Sequence, residues 1–265
     1  MTELARERRC AESIARLAGQ HILRERNKQV DISLKAPDDV VTNVDRSTER
    51  LIVDKLNDAF PGDAISGEEY GTNERADDAD TERTWLIDPI DGTLNFSHGL
   101  PTYCVSIAMQ RSGSTDVAAI YDPNLDELFS AARGDGAHLN GEPIEVSAID
   151  DLSTSMLVTG FPLGDTPSFD WTMQQFDLLT RTCRGIRRLG SAALDLAYVA
   201  AGRMEAFWEY GLKPWDTAAG ILLVTEAGGE VTDINGDPFS IHDPGVAASN
   251  GLIHDPLLEQ LQSVV

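Results

Sequence analysis

Apolar positions along the chain follow two periods, and the changes from one to the other sketch its elements. Over residues 2–27, Leu4, Ala11, Ile14, Ala15, Leu17, Ala18 and Ile22 recur at helical spacing with Arg and Glu between them, which predicts an amphipathic helix. Val30, Ile32 and Leu34 then alternate as in a strand, and a second helix is predicted from about Asp45 to Phe60, stopped by Pro61-Gly62. Ala64 to Ser66 reads as a short strand ending at Gly67-Glu68-Glu69-Tyr70-Gly71, and 72–83 as an acidic loop. Trp85 to Ile87 is an apolar strand. After it, Tyr103, Val105, Ile107 and Met109 alternate, followed by strands over 117–121 and 127–133 and a tight hairpin at His138-Leu139-Asn140-Gly141 that returns over 144–147. Such a meander makes part of the sheet antiparallel.

The second half changes style. Strands at 156–160, 206–210, 230–232 and 246–249 alternate with helices at 169–184, 191–202, 215–227 and 256–264. The fold class is therefore α/β, with an α+β N-terminal lobe over 1–150 beside an α/β lobe over 151–265 and a break near 148–153.

Charge narrows the partners. The 265 residues carry a formal net charge of −23, which repels nucleic acid and anionic membranes. Lysine occurs only at 28, 35, 55 and 213, and this acid-rich, lysine-poor surface is of the halophilic type, because dense salt screens self-repulsion. No apolar run approaches the roughly 18–20 residues of a transmembrane helix. Cys10, Cys104 and Cys183 form no C-x-x-C pair, which points to free thiols, a cytoplasmic location and no zinc site.

Candidate chemistry centres on Thr84 to Phe96, where an apolar strand runs into Asp88, Pro89 and Asp91-Gly92-Thr93. The reading places Asp88 at the strand's end, lets Gly92 permit close backbone approach and makes Thr93 a helix N-cap. Two carboxylates on a proline-stiffened turn point at one cation, and the following amides receive a phosphate. Taken singly, each acidic position has an ordinary role. Asp-Pro and Asp-Gly are common turn pairs, Glu68-Glu69 fits a solvated turn, Glu209 a strand-end charge, and Asp216 after Pro214-Trp215 a helix cap. The runs Asp77-Asp78-Ala79-Asp80 and Asp150-Asp151 read as solvated loop charge.

Taken together the blocks resemble the signatures of the inositol monophosphatase family, in an archaeal or bacterial-type member. The resemblance rests on Gly67-Glu68-Glu69, on Asp88-Pro89-Ile90-Asp91-Gly92-Thr93-Leu94-Asn95-Phe96 and on Trp215-Asp216-Thr217-Ala218-Ala219-Gly220. It is extended by the stretches 39–45, 190–196, 209–216 and 225–229, so that the blocks span roughly residues 35–230 in order. The resemblance implies a layered αβαβα sandwich, usually dimeric. It implies that Glu68, Asp88 and the Ile90 carbonyl bind one Mg²⁺, that Asp88, Asp91 and Asp216 bind a second, and that a weaker third ion sits near Glu68. By the same resemblance the Gly92 and Thr93 amides hold phosphate, Asp39 and Thr93 orient the attacking water, and Ala192, Glu209 and Asp216 line the alcohol side.

The activity so implied is hydrolysis of a phosphate monoester by metal-activated water, on inositol 1-phosphate or a similar sugar phosphate. Glu209 favours the inositol type, fructose-1,6-bisphosphatase activity is the alternative, and adenosine 3',5'-bisphosphate a weaker one. Some bacterial relatives also bind transcription or RNA machinery; the charge of −23 disfavours direct RNA contact here. A purely Ca²⁺-binding acidic domain lacks its EF-hand spacing.

Overall fold

The structure, a computed structural model, describes residues 4–36, 39–72, 83–162 and 166–264. The loop expected over 72–83 lies for the most part outside the described residues, and so does part of the segment 162–170.

The chain opens with helix α1 (Ala5–Glu25), the two-stranded ribbon β1 (Ile32–Ala36) and β2 (Asp39–Thr42), and helix α2 (Asn43–Ala59). An eight-stranded sheet follows from β3 (Ala64–Gly67), β4 (Gly71–Thr72), β5 (Arg83–Asp91), β6 (Cys104–Arg111), β7 (Ser114–Asp122), β8 (Glu127–Ala132), β9 (Ala137–Leu139) and β10 (Glu142–Ile144), with α3 (Thr93–Ser97) after β5. A five-stranded sheet is built from β11 (Met156–Thr159), β12 (Gly185–Arg187), β13 (Ala206–Tyr210), β14 (Glu230–Asp233) and β15 (Gly245–Ser249). Its helices are α4 (Pro167–Thr182), α5 (Ala192–Ala200), α6 (Pro214–Glu226) and α7 (His254–Gln262).

Five layers result. Helices α1 and α2 cover one face of the large sheet, α5 and α6 lie between the sheets, and α4 and α7 cover the far face of the small one. This is the αβαβα sandwich expected from the resemblance. Both sheets are mixed: β3 runs parallel to β5 and β11 parallel to β12 and β13, while the other pairs within the sheets are antiparallel.

The period-two alternation explains the layering. In β5, β6 and β7, Trp85, Ile87, Val105, Ile107, Met109, Val117, Ala119 and Tyr121 turn toward α1 and α2. Their alternates Leu86, Cys104, Ala108, Ala118 and Ile120 turn toward the middle helices. Small side chains on that inner face let α5 and α6 approach closely. The outer α4/α7 layer closes over Leu157, Trp208 and Ala247, with Leu179 of α4 and Leu257 of α7 in the same cluster.

Of the boundaries that differ from the sequence reading, three are set by a local hydrogen bond or turn. Helix α2 starts at Asn43 because Thr42 caps it: Thr42 Oγ1 accepts from Val44 N at 3.1 Å, and Asp45 Oδ2 answers by accepting from Thr42 N at 2.9 Å. The hairpin after β9 returns over Glu142–Ile144, since Asn140 (φ 52°) and Gly141 (φ 87°) together complete a two-residue turn. Strand β5 does not end at Asp88 but continues to Asp91. Its register against β6 slips between Asp88, opposite Ser106, and Asp91, opposite Cys104. This bulge shapes the site.

Candidate active site

In a regular strand, residues three apart point to opposite faces. Asp88 and Asp91 escape that rule because β5 carries one extra residue against β6 between them, so their partners Ser106 and Cys104 stand two apart and share a face. Pro89, which has no N–H to give to a ladder, lies within the bulge. Both carboxylates are thereby turned toward the seam between the large sheet and the middle helices. Asp88 is 3% and Asp91 8% exposed.

The turn after them departs from the expected cap. Gly92, at φ 99°, is itself the N-cap of α3, and Thr93 is its first helical residue. A side chain at Gly92 would meet the Thr102 carbonyl at 2.9 Å as well as straining the backbone. Thr93 is thus freed from capping. Its Oγ1 lies 2.8 Å from both Asp45 Oδ1 and the Ile90 carbonyl. Asn95 anchors the short helix by donating to the Thr102 and Leu189 carbonyls, each at 2.8 Å.

Other elements bring their residues to the same cleft of about 380 Å³. Glu68 enters from the end of β3, Ala192 from the first turn of α5, Glu209 from β13 and Asp216 from the first turn of α6. Glu68, Asp88, Ile90, Asp91, Gly92, Thr93, Ala192, Glu209 and Asp216 all line it. Asp39 lies in β2 opposite Ala36, and its side chain is outside the described set. Asp216 does cap α6, its Oδ2 accepting from Lys213 N at 2.7 Å, and faces the cleft as well. The reading as a cap and the reading as a site residue are therefore compatible.

Electrostatics set the character of the cleft. Asp91 Oδ2 accepts from Ser191 Oγ and from Ala193 N, each at 2.7 Å, at the N-terminus of α5. Burial nevertheless pushes its carboxyl up. Asp88 is pushed well above the usual range by burial, then by the charges of Glu68, Asp91 and Asp216. Burial and then the charge of Asp91 raise Asp216 to about 8; burial and then Asp216 raise Glu209 to about 8. Lys35 Nζ bonds Glu68 Oε1 at 2.8 Å and also Glu69 Oε1. Burial pulls the Lys35 ammonium down, but its two carboxylate partners outweigh this and leave it raised. Glu69 is pushed up to about 7, by burial first.

Among the described residues no three or more His, Cys, Asp or Glu side chains are already arranged to hold a metal ion. The donors instead line an open cleft as crowded, partly buried like charges. That chemistry suits a hard cation that keeps much of its water and takes few carboxylates directly. Zinc's closed nitrogen and sulfur shell has no counterpart among these oxygen donors.

Several lining or supporting residues escaped the sequence reading. Asp45 belongs to a quoted block, and its spacing from Thr42 signals a capping box, but its bond to Thr93 crosses 48 residues. Lys35, Arg188 and Asp195 also line the cleft. No local signal marks the first two, and Asp195 sits in a quoted block with no role attached.

A carboxylate-floored cleft at the seam of this sandwich goes with membership of a family of metal-dependent phosphatases, which makes the chain a hydrolase of phosphoric monoesters. It belongs to the inositol monophosphatase family, whose model matches residues 3–265. It is 44% identical over 252 residues to the Nus factor SuhB of Pseudomonas aeruginosa, covering 94% of this chain and 93% of that protein. It is 39% identical over 256 residues to the chloroplastic phosphatase IMPL1 of Arabidopsis thaliana, covering 94% of this chain and 68% of that one. The crystal structure of the extragenic suppressor protein SuhB from Bartonella henselae superposes with a TM-score of 0.92 at 38% identity, covering 97% of this chain and 98% of that one.

Proposed function

We propose that the chain hydrolyses phosphate monoesters of small polyols, with inositol 1-phosphate as the leading substrate type and Mg²⁺ as its metal. The observation that carries this reading is the junction of two features in one cleft. The carboxylates of Glu68, Asp88, Asp91 and Asp216 adjoin the first-turn amides of Gly92 and Thr93, which lack helical acceptors and are available to phosphate oxygens.

Two to three Mg²⁺ ions would be held by Glu68, Asp88, the Ile90 carbonyl, Asp91 and Asp216. They would offset the charge of the phosphate dianion and make a bound water acidic enough to attack near neutral pH. The chain's own residues do the rest. Thr93 Oγ1 directs its proton toward Asp45 Oδ1 and the Ile90 carbonyl, so a lone pair is left to accept from the attacking water. Asp39, with Thr93, orients that water. Ala192, Glu209 and Asp216 receive the alcohol. The two halves, 1–150 and 151–265, meet at the cleft as separate lobes, the second contributing Asp216 and Glu209. A cytoplasmic homodimer is the working state.

Arg188 favours a second reading. It is a cation lining the cleft of a strongly acidic protein, and a second phosphate such as that of fructose 1,6-bisphosphate would find it there. Adenosine 3',5'-bisphosphate has less support. Phosphate release from the three esters, with and without Mg²⁺, tests the proposal. Inositol 1-phosphate should be cleaved fastest and only with metal; release from none of them would overturn it.

A further inference from the structure

The carboxylates of the cleft differ in what holds them. On the floor three carboxylates are already held by the backbone: Asp88 Oδ1 accepts from Ile90 N at 2.9 Å, Asp91 Oδ2 from Ala193 N at 2.7 Å and Asp216 Oδ2 from Lys213 N at 2.7 Å. In the same cleft α5 contributes Asp195, 1% exposed, and Glu209 and Arg188 also line it. Asp195 Oδ1 is buried with no hydrogen-bond partner.

A buried carboxylate oxygen without a donor is costly, and folded proteins keep few of them. The neighbours of Asp195 along α5, Ala192, Ala193, Leu194, Leu196 and Ala197, are apolar and buried. Nor does Glu209 supply the missing bond. It lies directly against Gly160, where any side chain would overlap its carboxyl, and it makes no hydrogen bond to Asp195 Oδ1. Asp195 and Glu209 are thus two carboxyls lining one cleft, and the protein offers no donor to Asp195 Oδ1.

We propose that Asp195 is a specificity-determining residue that, with Glu209, accepts hydrogen bonds from hydroxyl groups on the polyol half of the phosphate ester. This rests on the phosphatase reading of the same cleft and adds what recognises the part of the substrate that does not react. Hydroxyls are the matching donors: they are neutral, they both donate and accept, and a polyol offers several on adjacent carbons. Burial, followed by the charge of Glu209, holds the Asp195 carboxyl well above its usual range, so the pair does not stand as two full charges demanding a cation. A site built to bond a hydroxyl discriminates strongly against an analogue that lacks it, because its own polar groups are then left unpaired.

The test compares inositol 1-phosphate with phenyl phosphate, which has no hydroxyl, on the full chain with Mg²⁺. Asp195→Ala, a change to a good helix former, should raise KM for inositol 1-phosphate by about tenfold or more while kcat/KM for phenyl phosphate stays within about twofold. Asp195→Asn keeps an accepting oxygen and should show a smaller rise. Neither variant should lower the melting temperature, because no partner inside the protein is lost. Equal losses on both esters, an unchanged KM for inositol 1-phosphate, or a clear drop in melting temperature for Asp195→Asn would each overturn the inference. Failure of the unaltered chain to release phosphate from either ester would instead overturn the phosphatase reading, and this inference with it.

Discussion

Thr93 Oγ1 lies 2.8 Å from Asp45 Oδ1, a hydrogen bond that ties the turn after β5 to the first turn of α2. The same Asp45 carboxyl answers Thr42 in the capping box, its Oδ2 accepting from Thr42 N at 2.9 Å and from Thr42 Oγ1 at 2.5 Å. One buried side chain therefore both starts a helix and fixes the hydroxyl that faces the cleft. Burial pushes the Asp45 carboxyl up, against the pull of these hydrogen bonds.

Removing either end of that bond should separate its two roles. Thr93→Ala should lower kcat by about 10²–10⁴-fold, the usual worth of a positioned proton acceptor, and cost about 1–3 kcal/mol of stability because the buried Asp45 Oδ1 loses its donor. Asp45→Asn should lower kcat and also weaken the α2 cap by about 1 kcal/mol. Steady-state kinetics beside thermal melts check both; full activity in Thr93→Ala would remove the hydroxyl from the reaction.

Asp91→Asn should reduce turnover by orders of magnitude while the fold persists. The substitution removes one charge from the carboxylate floor but keeps the size of a side chain held by Ser191 and Ala193. Circular dichroism and phosphate release on the same sample are the measurement, and wild-type turnover would exclude Asp91 from the metal set.

The stability of the metal-free protein should fall as pH rises toward 8. Asp216 and Glu209 are raised to about 8 in the folded chain, against about 3.9 and 4.3 in the unfolded one. Between those limits the unfolded state binds fewer protons than the folded state, so these carboxyls subtract stability progressively as pH climbs. Thermal melts in a chelator from pH 5 to pH 8 should show the decline. Added Mg²⁺ should raise the melting temperature more at pH 8 than at pH 5, because it binds the ionised form. A metal effect independent of pH would contradict the crowded-carboxylate account.

Salt should stabilise the fold. At a formal net charge of −23, self-repulsion is screened as ionic strength rises, and the screening length shrinks to about 3 Å at 1 M. Melting temperatures should climb from dilute buffer to about 1 M KCl; a protein most stable in dilute buffer would not carry a salt-adapted surface.

The long elements were legible because their signal is local and repeated. Ile14, Ala18 and Ile22 announce α1, and Val105, Ile107 and Met109 announce β6, at the spacing with which they meet the core. The short elements were not. α3 spans five residues and β12 three, too few for any period to show. Thr93 was misplaced as a cap because Gly92, at φ 99°, takes that position, a backbone state that composition alone does not select.

By itself the sequence determined which long segments become helices and strands and, through the family resemblance of its motif blocks, the five-layer class they assemble into, since periodicity and motif blocks are written along the chain. Only the tertiary structure decided that Asp88 and Asp91 share a face, because that depends on a one-residue slip of β5 against β6. It alone assigned Lys35 to Glu68 and Glu69, and left the Asp195 carboxyl at the cleft with a bare oxygen. Pairing and burial are set by neighbours dozens of residues away, and a pattern read one residue after another does not carry them.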